Sequence, residues 1–412
     1  MRFQLNMFEN SNKDSKILFW LFLIYSLLPG LAKFLGIRAL FSLNVLIILI
    51  VFIRTFKLEK IKYLDLPFLI FFVCVILFIP FTFFYPLNSS EAIFYGIYTF
   101  LIPTLGYFVA KVFSIENIFR IFIKICFIHA IIGLVFYPHF FIENYLAKII
   151  DPILDGSAYL RMTSVSGSLG FSPLMLIGFN ILLVNNFNSQ SQNFKSNFLY
   201  FILFFICLIL SLQRSAWLGA ISSVLLILFR QILRFKIKAH KIFLILSLLI
   251  FICTFAILLF KSEVFDIQQI EFLFERKESF TSAATERSEM WKGGFRNFVN
   301  FPLGVGLGQI GLVPTFIDSK NYYSGVTDGD YIKILSETGF VAILFYSFLA
   351  LILTFALINI IKMSNQLFGL FLIVVGFSIQ MLGTNISELY FVNFTYWLFV
   401  GAFFNSFKIS NA

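Results

Sequence analysis

Apolar runs of roughly 20 residues, almost free of charge, recur from one end of this chain to the other, and nothing else narrows its folding choices as much. In hydrocarbon a backbone segment must satisfy its own N–H and C=O groups, so such runs cross as helices. Spans read at roughly 17–36, 39–55, 65–85, 92–113, 118–137, 164–185, 197–213, 215–233, 242–260, 338–361, 367–384 and 390–407. The expectation is an all-α membrane protein with about 12 transmembrane helices. Charge agrees: 13% of the 412 residues are charged, against about 25% in a soluble domain.

One segment breaks the pattern. Residues 261–337, between the ninth and tenth spans, are polar, and eleven of the 21 Asp and Glu lie between Glu263 and Glu337. None of the 21 falls in the middle of a span. The chain divides accordingly into a transmembrane bundle at 1–260 with helices 1–9, a long loop with amphipathic helices at 261–337, and helices 10–12 at 338–412. With alternate loops assigned, eighteen Lys and Arg fall on the side of the N-terminus. Five fall on the other outside the long segment: Lys33, Arg38, Lys148, Arg161 and Arg214. That bias puts both termini in the cytoplasm and 261–337 outside.

The net charge of +10 is no nucleic-acid footprint, because the basic residues sit at helix ends rather than on one soluble face. Cys74, Cys126, Cys207 and Cys253 each lie in an apolar run and read as buried free thiols. His129, His139 and His240 are scattered and form no metal-ligand spacing. The first apolar run lacks a small-residue cleavage site, and a second follows at once, so it reads as a span rather than a leader.

Four stretches carry the polar chemistry. SLQRSAWLG, Ser211 to Gly219, is a very short turn between spans on the same side as the long segment. Arg214 reads there either as a snorkelling anchor or as an anion clamp, since a guanidinium presents phosphate with a rigid fork of donors. ATERSEMWKGGFRNF places Met290, Trp291, Phe295 and Phe298 at the spacing of an amphipathic helix lying along a membrane surface. Arg287 and Arg296 lie on that helix, which stops at FPLGVGLG. Gly304, Gly306 and Gly308 make either a close-packed turn or a phosphate loop. With no strand before them and no Gly-Lys-Ser/Thr after, the turn is the better reading.

TDGDYIKILSETGF, Thr327 to Phe340, opens with a turn into the tenth span. Asp328 and Asp330 serve there either as caps at a helix N-terminus or as a general base for a sugar hydroxyl. Glu337 lies two helical turns beyond Asp330 and shares its face if the helix begins early. LRMTSVSGSLGFSP, Leu160 to Pro173, adds small residues that allow close helix approach. Its Arg161 touches either ligand or lipid headgroups.

In chain order, with Arg161–Pro173 first and the long external segment in place, the four stretches resemble the O-antigen ligase/polymerase superfamily of integral membrane glycosyltransferases, over roughly 155 to 385. The resemblance implies a GT-C-like helical bundle in the bacterial inner membrane, with its one long periplasmic loop between helices 9 and 10 and its site at the periplasmic face. It implies transfer of a glycan from undecaprenyl pyrophosphate to a hydroxyl on a glycan or lipid acceptor, without cofactor or metal. Arg214 and Arg287 match the arginines that bind the donor pyrophosphate. Ligases that load lipid A core show a His-Asn pair before the Tyr of the third stretch, where this chain has Asp328 and Gly329. The departure points to a polymerase, or to a ligase with another acceptor. Asp328 is the first choice of base and Asp330 the second, with Arg161, Arg296 and Glu337 as secondary candidates.

Two other classes compete. A transporter or flippase of lipid-linked glycans suits twelve spans with both termini inside, but a two-half repeat and a carboxylate at membrane depth are not evident. A scaffold whose external loop binds a partner is the third.

Overall fold

The computed structural model describes residues 19–28, 39–56, 65–83, 90–135, 162, 164, 166, 168–187, 194–234, 288–311 and 329–406. Among them all regular structure is helical. In chain order the helices are α1 (Phe19–Leu28), α2 (Ala39–Thr55), α3 (Leu66–Phe83), α4 (Ser90–Val112), α5 (Ile115–Val135), α6 (Ser168–Phe187) and α7 (Phe194–Leu210). Then come α8 (Arg214–Leu233), α9 (288–300), α10 (Asp330–Thr338), α11 (Val341–Ile358), α12 (Asn365–Gln380) and α13 (Tyr390–Ser406). Six of these, α3, α4, α5, α6, α8 and α11, are long and apolar enough to cross a membrane.

From α2 to α8 and from α11 to α13, observed ends lie within about four residues of the expected spans. The expected ninth span, 242–260, lies outside the described residues. The tenth begins later than expected. Gly339, at φ +57, ends α10 and lets the chain turn before α11 starts at Val341. A separate short helix therefore precedes the membrane helix.

The bundle core is aromatic. Phe68 of α3 stacks on Tyr107 of α4 at 3.8 Å between centroids, and Phe71 stacks on Trp397 of α13 at 5.9 Å. Phe345 and Phe348 of α11 close on the same Trp397. Helix α4 is irregular, with a π turn at Ile97–Leu101 followed by a 3-10 turn at Ile102–Leu105. Pro103 has no N–H to give the carbonyl of Thr99, four residues back. The Asn393 amide of α13 donates to that carbonyl at 2.8 Å instead, as a buried backbone group in a bundle requires.

Ends expected on the cytoplasmic side gather at one end of the bundle. Arg230 and Arg234 of α8 donate to the carbonyls of Ile360, Ile361 and Met363, just past the C-terminus of α11, where a helix leaves its carbonyls unpaired. Lys111 of α4 pairs with Asp65, and Asn405 of α13 donates to the Lys111 carbonyl. Cys126 and Cys207 are buried free thiols as expected, whereas Cys74 is half-buried. His129 is buried between Ser26 and Ser164, with its ring nitrogens 2.9 and 2.7 Å from their hydroxyls.

Candidate functional site

The opposite end gathers the four polar stretches. Each enters through a hydrogen bond that its local structure makes available. In SLQRSAWLG, α7 ends at Leu210, Leu212 takes φ +51, and α8 begins at Arg214. A non-glycine residue at positive φ is uncommon, and such strain persists only where the surroundings hold it. They do: Gln213 makes no side-chain cap on α8, and its amide instead donates to the Thr384 hydroxyl at 2.7 Å. Ser172 of α6 donates to the Gln213 side-chain oxygen. Ser215 lies 3.0 Å from the same Thr384 hydroxyl. Arg214 sits between these two anchored neighbours, half-buried, at the first turn of α8. A helix N-terminus adds a partial positive charge to that of the guanidinium.

The fourth stretch joins the first. Met162 donates its N–H to the Leu210 carbonyl at 2.9 Å, and Gln380 donates to Ser172 at 3.2 Å. Arg161 lies outside the described residues, as do Arg287 and Asp328.

The glycine-rich stretch is a close-packed turn. Val305 and Gly306 donate their N–H groups to the carbonyls of Ser336 and Glu337, at 2.9 and 3.0 Å, satisfying the end of α10. Gly304, at φ +87, lies against the α10 backbone at Glu337, and Gly308, at φ +74, lies against the Ala92 carbonyl of α4; a Cβ at either would collide. Upstream, α9 turns its small face inward. Gly293, Gly294 and Asn297 are buried, and Ser336 donates to the Gly294 carbonyl. Trp291, Phe295 and Val299 face outward, 40, 54 and 59% exposed. Arg296 is on that outer side and exposed. The amphipathic helix expected there is present, with its aromatic face away from the protein.

Helix α10 begins at Asp330, so Asp330, Lys333 and Glu337 fall on one face. All three are buried. The Asp330 carboxylate, 0% exposed, accepts from the Ser387 N–H at 2.9 and 3.1 Å and from its hydroxyl. Lys333 donates to Glu337 at 2.9 Å, and Glu337 accepts from the Ile310 N–H at 3.1 Å. Glu388 completes the group, with the Asn385 amide 3.4 Å from one of its oxygens. Burial pushes the Asp330 carboxyl up to about 6 against the opposing Ser387 hydrogen bonds, and pushes Glu388 up to about 7 against the pull of Lys333. Burial also raises Glu337, countered by Lys333. Burial disfavours the charge on Lys333, but Glu337, Glu388 and Asp330 outweigh it and hold its ammonium above the ordinary range. No group of three or more His, Cys, Asp or Glu among the described residues could hold a metal ion.

One segment that the sequence does not single out ties these pieces together. Residues 381–388 connect α12 to α13. Met381 accepts from the Asp330 N–H at 2.8 Å, Asn385 accepts from the Gly329 N–H at 3.0 Å, and Thr384 and Ser387 make the contacts already given. The available signal is the polar TNISE, Thr384 to Glu388, between two apolar spans. Lys333 is likewise visible only once α10 begins early enough to set it beside Glu337.

No curated protein matches the chain. Residues 199–347 match the family model described as O-Antigen ligase. That segment contains the Arg214 turn, α9, the glycine turn and α10, three of the four stretches that the structure assembles at one end of the bundle. Over that segment the chain is similar to the O-antigen ligase family, which supports the resemblance carried by the four stretches.

Proposed function

We propose that this protein is a membrane glycosyltransferase of the bacterial inner membrane that moves a glycan from undecaprenyl pyrophosphate to a sugar hydroxyl at the periplasmic face, as a surface-polysaccharide polymerase or ligase. The observation that carries the reading is the seating of the Arg214 turn and of the Gly329–Asp330 turn on one segment, 381–388. It gives the first turn of α8, with Arg214, and the first turn of α10 a common support, within a segment similar to the O-antigen ligase family.

Arg214 and Arg287 bind the donor pyrophosphate and stabilise the charge that develops on it as the glycosidic bond breaks. The attacking hydroxyl loses its proton to Asp328. Asp330 and Glu337 are better suited to scaffolding, because both are buried and their oxygens are engaged by Ser387, Lys333 and Ile310. Arg161 and Arg296 remain secondary contacts for headgroup or glycan. The pyrophosphate is a good leaving group, so this proposed chemistry draws on no cofactor or metal. The GT-C-like arrangement of about 12 spans, with both termini in the cytoplasm, is part of the same proposal.

Purified protein supplied with lipid-linked oligosaccharide tests it. Longer or transferred glycan is the expected product. Movement across the bilayer with no new linkage supports the flippase reading instead. In cells, loss of the gene leaves single-repeat lipopolysaccharide for a polymerase and unattached lipid-linked chains for a ligase.

A further inference from the structure

The geometry points to Thr384, Asn385 and Ser387, in the connector between α12 and α13, as positioning residues that fix the Arg214 turn relative to the Gly329–Asp330 turn. The inference rests on the transferase reading and adds to it the element that sets the distance between donor site and base.

Three observations carry it. First, the Arg214 turn has an anchor outside α7 and α8. Leu212 is at positive φ, Gln213 gives α8 no side-chain cap, and the Gln213 and Ser215 side chains instead meet on the Thr384 hydroxyl. Second, the other turn is held from the same segment. Asn385 accepts from the Gly329 N–H, and Ser387 directs its N–H and its hydroxyl to the Asp330 carboxylate. Third, the two anchor points are close. From Thr384 to Ser387 is three residues, which span at most roughly 11 Å of chain. The segment is also fixed at its middle, since Ile386 is fully buried and Ile386–Glu388 forms a 3-10 turn. Transfer needs the leaving pyrophosphate and the deprotonating carboxylate in register, and a misplacement of about 1 Å can cost on the order of a hundredfold in rate. A short, hydrogen-bonded strap between their two turns supplies that register.

A merely structural role predicts less folded protein with unchanged constants. A positioning role predicts a split. Thr384→Val removes the shared hydroxyl at nearly constant shape, and should raise both the donor KM and the Kd for undecaprenyl pyrophosphate in nanodiscs roughly tenfold, with the acceptor KM unchanged. Thr384→Ser should restore both. Ser387→Ala should lower kcat roughly tenfold and leave the Kd for undecaprenyl pyrophosphate unchanged. Wild-type constants in Thr384→Val and Ser387→Ala overturn the inference, as does a loss in Thr384→Val that Thr384→Ser does not rescue. If the wild-type protein neither binds undecaprenyl pyrophosphate nor transfers glycan, the transferase reading falls and the inference with it. If it does both while Thr384→Val is indistinguishable from it, the inference alone falls.

Discussion

Ser387 gives both of its donors to Asp330: its N–H lies 2.9 and 3.1 Å from the two carboxylate oxygens, and its hydroxyl bonds to one of them. An aspartate so engaged, at 0% exposure, holds the N-terminus of α10 on the α12–α13 connector. The two aspartates of the DGDY turn therefore part company. Asp330→Asn retains an acceptor for the Ser387 N–H and should keep transfer within a few-fold of wild type. Asp330→Ala leaves buried donors unsatisfied and should cost about 1–3 kcal/mol of stability. Asp328→Asn should keep fold and donor binding but cut turnover sharply. Glycan chain length in cells carrying each variant at equal protein level checks this, and normal chains from Asp328→Asn remove it as the base.

The buried Lys333–Glu337 pair makes a second prediction. Lys333→Met strips three buried carboxylates of their one ammonium within the group, and should destabilise the protein by about 3–5 kcal/mol. Lys333→Met combined with Glu337→Gln should recover part of that loss, because the orphaned charge is gone. Thermal unfolding of the purified variants in detergent reads the order wild type, double variant, single variant. A single variant as stable as wild type contradicts the pairing.

The same group sets a pH dependence. Asp330 and Glu388 are raised by burial to about 6 and about 7, above their unfolded values, so the folded state holds their protons more tightly than the unfolded chain does. Their contribution to stability is fully present below the unfolded carboxylate range and is lost as pH rises through about 6 to 7. The protein should accordingly melt at a higher temperature at pH 5 than at pH 8. Glu388→Gln should flatten that difference, and an unchanged slope in the variant would count against it.

Topology gives a fourth. The Lys and Arg bias predicts a cytoplasmic position for Arg230, Arg234, Lys236, Lys238 and Lys241. The structure puts Arg230 and Arg234 at the end of the bundle opposite the α10 cluster. A reporter active only in the periplasm should work when fused near Asn300 and fail near Lys236. Activity at Lys236 would invert the orientation and move the site to the cytoplasm.

Much of this was legible in the sequence, for identifiable reasons. Span ends such as those of α2 and α8 follow from apolar length and flanking charge, which are local properties. The glycine turn was legible as a tight turn because Pro302 and alternating glycines exclude a continued helix. What joins the turns was not. The bonds from Thr384 to Gln213 and from Ser387 to Asp330 cross 171 and 57 residues of chain, and no local pattern encodes such a pairing. Asp330 and Glu337 each fitted two roles in the sequence, a cap or a base. Burial and partner choice, which favour the scaffolding role, are set only by packing.

The most direct test of the central claim is the rate of new glycosidic linkage from a lipid-linked saccharide donor, in proteoliposomes, for the wild type beside Arg214→Ala and Arg214→Lys. Losing a charge-assisted contact to a desolvated phosphate costs about 1.5–3 kcal/mol, or roughly ten to a hundredfold in rate. Arg214→Ala should therefore fall by at least that much while inserting normally. Arg214→Lys should recover little, because an ammonium cannot reproduce the planar fork. Linkage formed at the wild-type rate by Arg214→Ala, or glycan that crosses the bilayer with no linkage formed by any of the three proteins, would contradict the account.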